Sequence, residues 1–261
     1  MVMTILLGQK NILMAILFLM GICVISYKMW FGSITILIVF LFLYIKLRNS
    51  RFVCSLFIFF LVSLIIYQIM NIVIGQYNFP RETKILLNRC LLLIIVAGLY
   101  ISHRVSDKKI FFYHQMPRWS TVIELPFHSI KLSNLMIIVI VSSGAAFLPF
   151  VLQQELFITK SFIVFCVLFS LINATLEELI WRGMLLSSLV KFVSVSYALA
   201  VTSIGFGLLH LIIGIPFILC LFFSVGGLFY GVMVLKTNSI YPSIIFHIVI
   251  NIGMVLSGFI L

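Results

Sequence analysis

Nine apolar runs, parted by short polar gaps, take up most of this chain. They fall at about residues 11–27, 30–45, 52–74, 85–101, 135–152, 162–190, 197–213, 217–235 and 240–261. A helix needs about 20 apolar residues to cross the hydrocarbon core of a bilayer. There is no water in that core, so each spanning segment must satisfy its own backbone groups, and helices do so. The expected fold is therefore all-α, a polytopic transmembrane bundle of eight or nine spans. The second run is short, and the sixth is long enough to protrude from the membrane or to bend. Composition closes off the soluble alternatives. Apolar residues make up 64% of the chain and charged residues 9%, against about 45–50% and about 25% in soluble domains. So few charges exclude an ordinary soluble enzyme, a disordered chain and a secreted disulfide scaffold. Cys23, Cys54, Cys90, Cys166 and Cys220 all lie in apolar runs without metal-ligand spacing, and read as small apolar residues. The first run follows Lys10 without a small-residue cleavage pattern, which makes it a retained helix and not a removed signal peptide.

The few charges are informative by position. Lys and Arg number 17 against 6 Asp and Glu, a formal net charge of +11. In a soluble protein that excess would suggest nucleic acid. Here the basic residues occupy the gaps, where anionic headgroups favour them, and no nucleic-acid partner is expected. With nine spans, the gaps on the N-terminal side hold Lys10, Lys46, Arg48, Arg51, Arg104, Lys108, Lys109, Arg118, Lys131, Lys191 and Lys236. The other side holds Lys28, Arg81, Lys84 and Lys160. The richer side is cytoplasmic by the positive-inside rule, so the N-terminus is expected inside and the C-terminus outside a multi-pass cell membrane. The long gap at 102–134, with Arg and Lys mixed among aromatics, suits an interfacial segment on the cytoplasmic face. It divides the chain into an N-terminal four-helix region, 1–101, a linker, 102–134, and a C-terminal core, 135–261. The front region has one charge inside a run, Arg89, close enough to a helix end to be read as snorkelling.

Among the acids, Glu82, Asp107, Glu124 and Glu155 lie in or near gaps, whereas Glu177 and Glu178 lie inside the sixth run. A charge at such depth costs about 2.5–3.5 kcal/mol on insertion scales. Arg182 follows Glu178 by one helical turn and can pair with it on one face. Glu177 points about 100° away and has no such partner, as suits a general base. Phe206 and His210 share a face of the seventh run, and His247 and Asn251 share a face of the ninth. A lone intramembrane His or Asn is most often packing glue between helices. Two Glu, one Arg, two His and one Asn on three apolar helices are more, because ionisable groups in lipid need one another and mark a functional site. A Glu with a His can activate water, and a second His with an Asn can donate hydrogen bonds to an oxyanion. That is the equipment for peptide-bond hydrolysis without a covalent nucleophile. Glu177, His210 and His247 could also ligate a divalent metal such as zinc, although no HExxH spacing is present.

Glu177-Glu178-x-x-x-Arg182, Phe206-x-x-x-His210 and His247-x-x-x-Asn251, in this order on successive helices, resemble the three motifs of the CPBP family. These are the CAAX prenyl proteases and bacteriocin-processing enzymes, also called the Abi family. Gly226-Gly227 through Gly231, followed by the stretch from Lys236 to Pro242, is similar to the family's approach to its last motif. The resemblance covers roughly residues 130–261 and implies an intramembrane endopeptidase. On this analogy Glu177 activates water with help from His210, His247 and Asn251 form the oxyanion pocket, and Glu178 pairs with Arg182. Phe206 would belong to the substrate pocket. Trp181 departs slightly, since Phe or Tyr is commoner there. A glutamate-activated water needs no cofactor, with zinc as the alternative. The expected partners are a lipid bilayer and a peptide or membrane-protein substrate, cut in bacterial peptide processing or bacteriocin self-immunity. Two other readings compete: a non-catalytic immunity or scaffold protein of the same fold, and a transporter with a polar midplane site.

Overall fold

The computed structural model describes residues 2–124, 128–154 and 159–260, with side chains from residue 10 onward. Glu155 lies outside the described residues. Helices α1 (Val2–Ser26), α2 (Trp30–Lys46) and α3 (Arg51–Gln76) are followed by α4 (Arg81–Cys90) and α5 (Leu92–Val105), which together form one span broken at Leu91. Next come α6 (Leu132–Val151) and α7 (Lys160–Glu178), the latter continued by a π-helix (Leu179–Leu186) and a short α8 (Ser187–Leu189). Helix α9 (Val195–Leu209) ends in a 3-10 turn (His210–Ile213), and α10 (Phe217–Thr237) and α11 (Tyr241–Leu256) close the chain. Six of these segments are long and apolar enough to cross a membrane, and three shorter apolar helices accompany them. The chain is a polytopic helical bundle. The nine apolar runs of the sequence are its helices. The short second run is α2, whose 17 residues reach only about 25 Å. The long sixth run changes its winding midway into the widened turn of a π-helix.

Contacts between the gaps fix which helix ends lie together. The Tyr197 hydroxyl at the start of α9 donates to the Asn11 carbonyl at 2.8 Å. The Ile240 amide between α10 and α11 donates to the Tyr113 carbonyl at 2.8 Å. Lys191 lies 5.5 Å from the Phe111 ring, and Phe52 packs on Phe192. Asn11, Phe52, the 106–121 loop, Lys191–Phe192 and Ile240 thus share one end of the bundle, the end that holds most of the basic residues. At the other end Phe150, in the last turn of α6, meets Phe259 after α11.

The linker is not simply irregular. It contains an antiparallel hairpin, β1 (Val122–Glu124) on β2 (Ser129–Lys131), with Ile123 opposite Ile130. Ile123 is buried against Leu132, Met136 and Met233, which seats the hairpin on α6 and α10. One apolar core runs through front and back alike, from Phe18, Phe57 and Phe60 to Trp181, Phe206 and Tyr230. Trp181 lies between Phe60 of α3 and Phe206 of α9, with ring centroids 5.2 and 6.4 Å away. The glycines of the Gly227-x-x-x-Gly231 stripe both face α9 within the chain. A Cβ on Gly227 would meet the Ser203 carbonyl at 2.9 Å, and one on Gly231 would meet Leu199 at 2.8 Å.

Candidate active site

Helix α7 delivers both carboxylates at its last two positions, and the π-helix begins directly after them. A π-helical turn is rare and recurs at functional sites. Both glutamates are buried. The Arg182 guanidinium donates to Glu178 Oε1 at 2.9 Å, as the one-turn spacing requires. Its other amino group donates to the Gly227 carbonyl at 2.7 Å. The guanidinium also lies over two aromatic rings, 4.6 Å from Phe206 and 5.1 Å from Tyr230. Carboxylate, carbonyl and two ring faces together replace the hydration that a buried arginine loses.

His247 of α11 joins the two carboxylates. Its Nδ1 is 3.1 Å from Glu178 Oε1, and its Nε2 is 3.6 Å from Glu177 Oε2. A carboxylate accepts, so Nδ1 carries a proton. The imidazole stacks on Tyr230 at 5.0 Å, which sets the plane of the ring. Asn251, one turn further along α11, is buried, and its Nδ2 has no hydrogen-bond partner among the described residues. An unmade donor at such a place is costly unless something arrives to accept from it.

Glu177 has a partner that the sequence did not suggest. Arg89 of α4 donates to Glu177 Oε1 at 3.3 Å and to Asn173 Oδ1, one turn earlier on α7, at 3.0 Å. Arg89 is 8% exposed. This corrects the reading of Arg89 as snorkelling: the guanidinium does not reach the headgroups but turns inward to α7. A buried charge is held by a partner, and 88 residues of separation hide that partner from any local spacing rule. A signal was nevertheless present. One unpaired cation and one unpaired carboxylate, each inside an apolar run, balance each other.

His210 caps α9 at the start of its 3-10 turn. Its Nδ1 is 3.0 Å from the Phe206 carbonyl, so Nδ1 donates and Nε2 keeps its lone pair. The ring stacks on Phe223 at 4.2 Å. Glu177 and His210 line one small cleft together with Tyr67, Arg89, Leu92, Leu209 and Ile213. Glu177 Oε2 has no hydrogen-bond partner among the described residues. The structure therefore brings Glu177, Glu178, Arg182, His210, His247 and Asn251 into one polar region, with Glu177 and His210 on the cleft itself. Phe206 does not line the cleft; it is buried beneath Arg182 and edge-on to His210 and His247. Sequence reasoning missed Arg89, Asn173, Tyr67 and Tyr230. Tyr67 and Tyr230 look like core aromatics by spacing alone.

A zinc site needs three or four convergent donors. Glu177 Oε1 faces a guanidinium, His210 Nδ1 is taken by a backbone carbonyl, and both His247 nitrogens face carboxylates. Among the described residues no three His, Cys, Asp or Glu side chains are grouped to hold a metal ion. Two donors, Glu177 Oε2 and His210 Nε2, remain open, fewer than such a site needs.

Fold and site together define a helical membrane protein with a charge-balanced polar site inside its bundle. Residues 159–253 match the family model of the type II CAAX prenyl endopeptidase Rce1-like proteins, and the matched stretch contains all three motifs. The match supports an intramembrane CAAX-type endopeptidase, a hydrolase of peptide bonds. No curated protein and no solved structure matches the chain.

Proposed function

We propose that Glu177 and His210 activate a water in the cleft for attack on a peptide carbonyl. The observation that carries this reading is the shared cleft: Glu177, whose Oε2 has no hydrogen-bond partner among the described residues, and His210 line one small space. The water oxygen bonds to the carbonyl carbon as its proton passes to Glu177 Oε2. His210 accepts a hydrogen bond from the same water through Nε2 and orients it. The carbonyl oxygen becomes an oxyanion, and the free Nδ2 donor of Asn251 is the group best suited to receive it. His247 Nε2, 3.6 Å from Glu177 Oε2, is near enough to take that proton and join Asn251 as a donor. The proton then goes to the leaving amine as the C–N bond breaks. Glu178 and Arg182 hold His247 in place and do not touch the reacting atoms.

No resident metal is part of this scheme, because two guanidinium groups already balance the two carboxylates. The N-terminus lies on the cytoplasmic side, with the basic majority of the gaps, and the C-terminus on the other. The substrate is a peptide or membrane-protein segment cut in bacterial peptide processing or bacteriocin self-immunity. Support for a bacterial source is compositional, a lean toward Ile and Phe.

The test is mass spectrometry of membrane peptides from cells carrying wild type or Glu177→Ala at equal protein level. The expected result is an uncut peptide that accumulates only with the variant. Identical peptide profiles, with biological protection retained, would favour a non-catalytic scaffold instead.

A further inference from the structure

The family match spans residues 159–253, yet the guanidinium bonded to the candidate base comes from α4, far outside it. We propose that Arg89 is a positioning residue for Glu177, so that the front helices complete the active site as well as anchoring it. The proposal rests on the reading of Glu177 as the base.

The first support is how Arg89 grips α7. A single nitrogen, Nη1, donates to Glu177 Oε1 and to Asn173 Oδ1, two side chains one turn apart. The grip fixes the rotamer of Glu177. It also divides the labour of the two carboxylate oxygens: Oε1 is bound, and Oε2 is left as the atom without a hydrogen-bond partner. The second support is how Arg89 is itself held. It sits just before the break at Leu91 that separates α4 from α5. Its neighbour Asn88 accepts from the Tyr67 hydroxyl at 2.8 Å and donates to Asn71 Oδ1 at 2.7 Å. Polar side chains of α3 thus hold Asn88, the residue next to Arg89 on α4, in place. The third support is place: Tyr67 and Arg89 line the same cleft as Glu177 and His210. A cation needed only for membrane anchoring has no reason to be buried there, where an unpaired charge is expensive.

The test uses the full chain in liposomes as wild type, Arg89→Gln, Arg89→Lys, Glu177→Gln and the Arg89→Gln/Glu177→Gln double variant. Two quantities are read: cleavage of a fluorogenic lipidated CAAX-type peptide, and thermal unfolding. Misplacing a reacting group by about 1 Å can cost about 10²-fold, so Arg89→Gln should lower kcat per folded protein by about that factor. KM should move by less than about threefold, since the lost contact orients the base and does not bind substrate. Arg89→Lys, which keeps the charge, should recover about tenfold of the loss. A purely structural arginine would lower the folded fraction and leave kcat per folded molecule unchanged. In unfolding, each single Gln variant leaves one buried charge alone and should lower Tm by on the order of 10 °C. The double variant leaves neither alone and should be no worse than the singles. An Arg89→Gln kcat within twofold of wild type, or additive losses in Tm, would overturn the proposal. If wild type cuts no such peptide, the protease reading fails on this probe and the melting cycle decides the pairing by itself, non-additive losses upholding it and additive losses overturning it.

Discussion

The front and back regions each supply one guanidinium to one of two adjacent carboxylates, and the two pairings are built differently. The back pairing is local. Arg182 lies one turn from Glu178, and the Gly227 carbonyl and the Phe206 and Tyr230 rings use up what remains of its guanidinium. The front pairing reaches across the bundle from α4 to α7, is longer, and leaves Arg89 Nε without a partner among the described residues. Each carboxylate keeps one oxygen, Oε2, without a hydrogen-bond partner among the described residues, but only Glu177 and Arg89 line the cleft, whereas Glu178 and Arg182 do not. On the proposed mechanism Glu178 is the structural glutamate and Glu177 the chemical one, although the sequence sets them side by side.

If that contrast is right, breaking the back pair does the most damage. Arg182→Met should destabilise the protein by about 3–5 kcal/mol, because Glu178 stays buried without its main partner. Denaturant unfolding in detergent checks this, and the loss should exceed that of Arg89→Met measured beside it. Equal losses would erase the contrast. Substitutions that leave no buried charge unpaired should instead spare the fold and slow the chemistry. His210→Ala is expected to lower kcat on the order of 10³-fold with little change in Tm, measured by peptide cleavage in liposomes. Asn251→Ala removes a buried donor that has no partner among the described residues, and on the proposed mechanism should cost on the order of 10²-fold in kcat, with KM nearly unchanged. Trp181→Phe should matter least. The indole Nε1 has no partner among the described residues to lose, so only packing between Phe60 and Phe206 suffers, at about 1 kcal/mol, read as a small drop in Tm.

What could be read from the sequence follows the same divide between local and distant. The nine helices were legible because lipid forces each span to be a long apolar run that satisfies itself. The Glu178–Arg182 pair was legible because helical spacing puts the two side chains on one face. The grouping of His210, His247 and Asn251 was legible as a shared resemblance and a shared polarity, without geometry. Arg89 was misread because its partner sits 88 residues away, and no periodicity links α4 to α7. The hairpin at Val122–Lys131 was not foreseen, since its strands are three residues each and its two inward side chains, Ile123 and Ile130, one per strand, give no alternation to detect. The π-helix was visible only as excess length in the sixth run. The burial of Phe206 under Arg182 depends on how α9 approaches α10, which in turn depends on Gly227. Such close approaches are properties of packing between helices and leave little mark on either helix alone.

The central claim is that Glu177 is the base and that the site works without a resident metal. It is tested most directly by cleavage of the lipidated CAAX-type peptide by purified wild type and Glu177→Gln, side by side and in excess EDTA. The account predicts that wild type keeps its rate in the chelator and that the variant, folded to the same extent, falls by about 10³-fold or more. A Glu177→Gln rate within a factor of about ten of wild type, or a wild-type rate abolished by the chelator and restored by zinc, would contradict it.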